Sequence, residues 1–530
     1  MFSKVWFSKV GLTASRLPQV WTVLIATCFL VGFGTDSTQL QADQPNIVLI
    51  YADDHSQAAV SCYGSRINRT PNIDRLAKQG IRFSNSFVGN SICGPARATV
   101  LTGLHSHANG KLDNRGGFNQ SLPTFAKVLG KQGYATAIFG KWHIRTDPVG
   151  FDRWETLGGG YYNPVFKTKN GNVKTTGYVS DIITDRSIEW MKEQKAAKKP
   201  FVVWVSHSAT HRTWMPATRH LTKYDNKTIE EPKTLFDDYA GKSPGAKSAQ
   251  MRISRDMFPA YDLKLPVTGN GFLDRAMESK LKRMTDAQRD AWHKAYSPKN
   301  KKFEEAKLEG KERTRWKYQR YIKDYLRCVD GIDENVGKIM DFLKEEDLEK
   351  NTIVIYTSDQ GFFLGEHGWY DKRWMYEPSF RTPLIVRWPG KIKSGLTCDQ
   401  LVQNIDLAPT LIDCVGAKVP ENMHGKSMVP LFKKPDANWR DELYYHYHMV
   451  EPDGKASHLV ARHYGIRTAR HKLIHVYDHK TWELYDLQSD PDETKNLIDS
   501  AEHHALVIQL KRKLAELRSD FGDREGPDVE

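Results

Sequence analysis

At 530 residues, with 39 % hydrophobic and 11 % aromatic content, the chain is long enough for a large catalytic core plus a smaller second domain, and its composition excludes a disordered protein. A formal net charge of +13 favours polyanionic partners, and the absence of any finger, knuckle or base-stacking motif argues against nucleic acid.

In chain order, the first predicted feature is an export signal over residues 1–42. Lys4, Lys9 and Arg16 precede an apolar run from Val20 to Gly34, and Ala42 suits a cleavage point. That run is short for a membrane span, and no later stretch approaches one, so the expectation is an exported protein, periplasmic or extracellular, with no membrane span in the mature chain. Cys28 leaves with the signal. The other five cysteines are an odd number, so one is left over even where disulfides form.

Strands are predicted at Asn46–Tyr51, Ala135–Phe139, Phe201–Ser206, Thr352–Thr357 and Leu384–Trp388. They are near-continuous apolar runs alternating with helical patterns, which predicts an α/β fold with a mainly parallel sheet flanked by helices. Residues 225–320 interrupt the pattern as a polar, Lys-rich insertion. From about 435 the alternating runs at Tyr444–His448, Tyr464–Thr468, Lys472–Tyr477 and Trp482–Leu487 predict a small antiparallel sheet, followed by helical periodicity over Ala505–Arg518. The expected division is therefore a catalytic domain over 43–434 and a C-terminal subdomain over 435–530.

Polar groups follow four of the strands: Asp53-Asp54-His55, Lys141-Trp142-His143, His207 with His211, and Asp359-Gln360. Open α/β sheets bind ligands outside the carboxyl ends of their strands, so these four segments should share one edge. Asp53, Asp54 and Asp359 would repel one another there unless a cation sat between them, and all-oxygen ligation with Gln360 suits a hard ion such as Ca²⁺ or Mg²⁺. The sharpest local signal is Cys93-Gly94-Pro95-Ala96-Arg97 followed by Thr102-Gly103. Pro95 fits a first helical turn, so Cys93 lies at a helix N-terminus that favours negative charge, with Arg97 within reach of the same anion.

C-x-P-x-R with the downstream Thr-Gly pair resembles the signature of the formylglycine-dependent sulfatases, within the alkaline-phosphatase-like superfamily. Asp53-Asp54, Gly140-Lys141-Trp142-His143, Ser358-Asp359-Gln360-Gly361 and Gly365-Glu366-His367-Gly368 with Lys372 resemble that family in the same order. The resemblance implies one Ca²⁺ held by Asp53, Asp54, Asp359, Gln360 and residue 93, and conversion of Cys93 to formylglycine (3-oxoalanine) by a formylglycine-generating or sulfatase-maturating enzyme. Many relatives carry Asn or His where Gln360 stands; its amide still offers an oxygen. The resemblance further implies that Arg97, Lys141 and Lys372 hold sulfate oxygens, that His211 protonates the leaving oxygen and that His143 assists turnover; His55 and His207 read as structural.

The segments around Tyr161, His211, Lys372 and His463 are similar to the bacterial N-acetylglucosamine-6-sulfatase or mucin-desulfating group. The expected substrate is thus a sulfated glycan carrying 6-O-sulfate, with His463, Arg467 and Trp214 as sugar contacts. An iduronate-2-sulfatase-like or algal-polysaccharide enzyme is the nearest alternative; a two-zinc phosphatase or phosphodiesterase and an inactive glycan-binding protein are more distant.

Overall fold

The computed structural model describes residues 44–449 and 460–529, so the predicted export segment lies outside the described residues. Strand β1 (Asn46–Ala52) is buried at every position. Ile47, Leu49 and Tyr51 enter one apolar cluster, and Val48, Ile50 and Ala52 enter another on the opposite face. A strand covered on both faces has no wet side to make it alternate, hence its unbroken apolar sequence.

Nine further strands complete the sheet: β2 (Ile81–Phe83), β3 (Ala135–Gly140), β4 (Arg153–Leu157), β5 (Val165–Thr168), β6 (Gly171–Lys174), β7 (Phe201–Ser206), β8 (Thr352–Ser358), β9 (Leu384–Arg387) and β10 (Leu396–Cys398). Their spatial order is β10-β2-β9-β8-β1-β7-β3-β4-β5-β6. The block β8-β1-β7-β3-β4 is parallel throughout. The last strand expected from the sequence, β9, runs antiparallel to β8, so its carboxyl end lies at the opposite edge. The four strands followed by polar motifs are those of the parallel block.

Helix α1 (Cys93–Thr102) covers one face through Ala98, Val100 and Leu101. The other face is covered by α2 (Val179–Ala196) and the 36-residue α3 (Gly310–Glu345), through residues such as Ile183, Val329 and Val336. The Lys-rich insertion is helical, and its Met277, Trp292 and Tyr296 join the α2/α3 side of the core. Within it, Thr285 caps the helix Asp286–Ala306: its hydroxyl accepts from the Gln288 N–H at 3.3 Å, and the Gln288 side chain accepts from the Thr285 N–H at 2.9 Å. No helix among the described residues is long and apolar enough to cross a membrane.

Strands β11 (Glu442–Tyr447), β12 (His463–Thr468), β13 (His471–Val476) and β14 (Thr481–Asp486) form a sequential antiparallel sheet. The helix α4 (His504–Phe521) packs on one face through Leu510 and Leu514. The other face, with Leu443, Tyr445, Tyr447, Ile474 and Tyr485, packs on Trp369, Trp374, Met375 and Tyr376. The second sheet therefore buttresses the loop that carries Lys372.

Register brings the strand ends level. Tyr51 is opposite both Ser206 and Thr357, and Gly140 is opposite Ser206. Gly140 has φ +108°, and a Cβ there would lie 1.9 Å from the Ser206 carbonyl oxygen. Both constraints exclude a side chain. Gly140→Ala is expected to destabilise the protein by more than about 2 kcal/mol, read as a lower denaturant midpoint; an unchanged midpoint would refute this close packing of β3 on β7.

Candidate active site

Level strand ends place Asp53 and Asp54, Lys141, and Asp359 and Gln360 around one point, and α1 brings Cys93 and Arg97 to it from the side. Asp53, Asp54, Asp359, Gln360, Cys93 and Arg97 are at most 1 % exposed. Helix α1 starts at Cys93 with Ile92 extended before it, and Gly103 ends it in the left-handed region with its N–H donating to the Thr99 carbonyl at 2.8 Å. The Thr102 hydroxyl donates to the Ala98 carbonyl at 2.7 Å. The Thr-Gly half of the motif is therefore the stop that fixes the length of the helix carrying Cys93.

The Cys93 Sγ lies 3.5 Å from Asp53 Oδ1 and 3.4 Å from Gln360 Nε2. Arg97 is pinned by four groups: Asp359 Oδ2 at 3.1 Å, Asp53 Oδ1 at 3.6 Å, the Lys141 carbonyl at 2.9 Å and the Ser206 hydroxyl at 2.7 Å. Lys372 Nζ donates to both Asp54 oxygens, at 2.8 and 2.6 Å, and Lys141 Nζ pairs with Asp53 Oδ2. His211 Nε2 lies 3.9 Å from Asp54 Oδ2. The chain bends sharply at the site: Asp54, His143, Asp371 and Arg373 all hold positive φ. Strained backbone at the ends of ordered strands is typical where side chains are aimed at a common point.

Burial raises the cost of charge for every one of these groups. Burial opposes ionisation of Asp53, yet Lys141, His211 and Arg97 hold its carboxyl well below the usual range. Asp359 is pushed well above that range by burial and by the adjacent Asp53 charge. For the ammonium groups of Lys141 and Lys372 burial is again the largest influence, but Asp53 and Asp54 respectively outweigh it and hold the pKa up. His211 is lowered to about 4 by burial and by Lys141 and Lys372. His143 is lowered well below its usual value, first by burial and then by Lys141, and its Nδ1 is buried without a hydrogen bond. His55 and His207 are fully buried and held neutral by that burial, each near 4.

A hard cation fits this donor set. Asp53, Asp54 and Cys93 each present a ligating atom, all within 4.8 Å of one another. The Gln360 Oε1 is buried without a hydrogen-bond partner, while its Nε2 is turned to Asp54. An orphaned amide oxygen beside three carboxylates is the donor chemistry of an oxygen-ligated divalent ion.

The sulfatase family profile matches residues 45–417, and a second profile, described as the C-terminal part of N-sulphoglucosamine sulphohydrolase, matches 365–520. The chain belongs to the sulfatase family. It is 42 % identical over 501 residues to an N-acetylglucosamine-6-O-sulfatase of Bacteroides thetaiotaomicron, covering 92 % of this chain and 89 % of the relative. An arylsulfatase of Clostridium perfringens is 25 % identical over 490 residues, covering 89 % and 94 %. Among solved structures, one at TM-score 0.87 and 42 % identity spans 91 % of this chain and 99 % of its own, and is described as a complex with its substrate D-glucosamine-2-N,6-O-disulfate. A phosphonate monoester hydrolase from Silicibacter pomeroyi, at TM-score 0.69 and 20 % identity over 91 % of this chain and 96 % of its own, shares the fold. The protein is accordingly a sulfuric ester hydrolase, of a family that uses formylglycine and a metal ion.

The three residues expected as sugar contacts of this sulfatase occupy buried positions. His463 is fully buried, accepts from the Met375 N–H at 3.1 Å through Nε2, and stacks on Trp374 at 4.5 Å between ring centroids. Arg467 is 3 % exposed and paired with Glu377 at 3.4 Å. Trp214 is fully buried, 4.6 Å from the Tyr321 ring. In this arrangement all three side chains pack against neighbouring residues: His463 on Trp374, Arg467 on Glu377 and Trp214 on Tyr321. Conversely, the sequence did not point to Ser206, which anchors Arg97, or to Asn114, whose Oδ1 accepts from the Gly94 N–H at 2.9 Å at the start of α1. Both act through contacts distant in sequence, and neither sits in a motif.

His463→Ala removes a stacked ring and leaves the Met375 N–H unpaired. The expected cost is about 2–4 kcal/mol, seen as a lower melting temperature, with sugar-sulfate and aryl-sulfate hydrolysis at low temperature declining together. A selective loss on the sugar substrate would restore His463 to the substrate surface.

Proposed function

We propose that this sulfatase hydrolyses the 6-O-sulfate of N-acetylglucosamine-type sugars in glycosaminoglycan or mucin-like glycans, with formylglycine at position 93 and a single Ca²⁺. What carries the reading is the gathering of Cys93, Arg97, Lys141, His143, His211 and Lys372 around Asp53, Asp54, Asp359 and Gln360. The 42 % identity to an N-acetylglucosamine-6-O-sulfatase over nearly the whole chain supports the choice of sugar. The three carboxylates and Gln360 would hold the ion. The ion and the modified residue together supply charge neutralisation of the sulfonyl oxygens and a hydroxyl nucleophile directed at sulfur.

The remaining chemistry belongs to the chain's own side chains. Arg97 cannot swing, because its guanidinium is tied to Asp359, Ser206 and the Lys141 carbonyl, and so offers a preorganised positive edge to a sulfate oxygen. Lys141 and Lys372 lie on Asp53 and Asp54, and each can exchange a carboxylate oxygen for a sulfate oxygen when substrate enters. His211, more than a third exposed, faces the opening. An incoming sulfate ester anion offsets the two lysine charges that depress its pKa, so that Nε2 can carry the proton required by the leaving sugar oxygen. His143 presents a buried, unpartnered Nδ1 at the same edge as a proton acceptor during turnover.

The same reading places the protein outside the cytoplasm after export through residues 1–42, dependent on a maturation enzyme for Cys93. It treats 43–434 as the catalytic domain and 435–530 as a supporting subdomain. Peptide mass spectrometry of active enzyme from its natural host should find formylglycine at position 93, and a free thiol throughout would refute it. Cys93→Ser should fold normally and lose at least about a hundredfold in kcat/KM, since serine cannot form the hydrated aldehyde. Across defined sulfated sugars, 6-sulfated N-acetylglucosamine should exceed a 2-sulfated uronate by at least about tenfold, equivalent to ~1.4 kcal/mol in transition-state binding. The reverse preference would assign the site to a uronate.

A further inference from the structure

A second cluster of ligating side chains lies apart from the carboxylate site and shares no residue with it. His446 and His448 stand two apart at the end of β11, a spacing that puts both on one face of an extended chain. Their rings approach to 3.6 Å between centroids. Asp523, just beyond α4, faces them, and the three side chains offer ligating atoms all within 4.8 Å of one another. Asp523 Oδ2 receives His446 Nδ1 at 2.8 Å and the Tyr444 hydroxyl at 2.6 Å. His446 Nε2 lies 3.1 Å from the Tyr477 hydroxyl, an outer partner of the kind that orients a ligating imidazole.

A third imidazole, His107 on the short helix Ser106–Asn109 that follows α1, approaches the same carboxylate. Its side chain is only 7 % exposed, and Nδ1 points at Asp523 Oδ2 from 3.2 Å without the alignment of a hydrogen bond. Its Nε2 is 2.8 Å from the Phe521 carbonyl, which can only accept, so Nε2 carries the ring proton. Nδ1 thus stands as the nitrogen of His107 that faces the Asp523 carboxylate. Two imidazoles with a carboxylate, all offering ligating atoms within 4.8 Å of one another, and a third imidazole nitrogen beside them, are the mixed nitrogen and oxygen set of a borderline transition ion.

We propose that His446, His448 and Asp523, with His107 as the fourth side chain, form a structural site for a Zn²⁺-class ion. The ion ties the segment after α1, the end of β11 and the segment after α4 into one unit. It takes no part in ester hydrolysis, and the site stands whether or not the sugar assignment does.

The test uses the full-length, untagged protein in buffer with excess Ca²⁺, dialysed against Zn²⁺ and then against metal-free buffer. Elemental analysis should find one retained zinc per chain, and Co²⁺ substitution should give a visible d–d absorption band. His448→Gln and Asp523→Asn should each lose both signals while keeping their circular dichroism spectrum and aryl-sulfate turnover. His448 is the less buried ligand, so its variant keeps the test valid if Asp523→Asn does not fold. Wild-type protein that retains no zinc would overturn the proposal. Equal zinc retention and an equal Co²⁺ band in wild type and His448→Gln would overturn it as well.

Discussion

Asp53, Asp54 and Asp359 are fully buried at the ends of two adjacent strands, and their mutual repulsion organises the surrounding structure. Each carboxylate has a fixed cation beside it: Lys141 on Asp53, Lys372 on Asp54, Arg97 on Asp359. Buried ionised groups persist only when paired in this way. Arg97 reaches Asp359 because α1 points into the sheet edge, and Lys372 reaches Asp54 because the loop after β8 is pressed inward. Burial opposes ionisation of both Asp53 and Asp359, and the cations beside them counter it. The orphaned Gln360 Oε1 marks the place where a further positive charge would sit.

That cluster explains the role of the second sheet. Trp369, Trp374, Met375 and Tyr376 flank Lys372 in sequence and pack on β11, β13 and β14. His463 accepts from Met375, and Glu377 joins Arg467 and Lys472. A loop bearing a buried lysine would otherwise drift away from Asp54, at the cost of an unpaired charge on each side. The described residues of the second sheet thus support the loop that bears Lys372 by packing against it.

Much of this was legible in the sequence where the physics is local. Strands buried on both faces read as apolar runs, so β1, β3, β7 and β8 appear close to their observed bounds, and the polar residues after them identify the edge. The direction of β9 was not legible, because an apolar run of four carries no sign of whether it pairs parallel or antiparallel. The burial of His463, Arg467 and Trp214 was not legible for a related reason: basic and aromatic residues suit a sugar cleft and a buried brace equally well, and their partners Trp374, Glu377 and Tyr321 are distant in sequence. Ser206 and Asn114 escaped notice since a serine ending a strand or an asparagine in a loop gives no signal until its partner is known. The described cysteines other than Cys93 are unpaired and intermediate to buried in exposure, and burial pushes the thiols of Cys62, Cys328, Cys398 and Cys414 above the usual range.

The carboxylate cluster is most directly tested by its metal content. Active protein would be stripped with a chelator, its calcium counted by elemental analysis, and its turnover of an aryl sulfate followed as Ca²⁺ is returned, alongside Asp54→Asn. One calcium per chain should leave and return in step with activity, and Asp54→Asn should neither bind it nor turn over. Full activity in protein freed of calcium, or zinc in place of calcium at these carboxylates, would contradict a hard-cation site at the ends of the parallel strands.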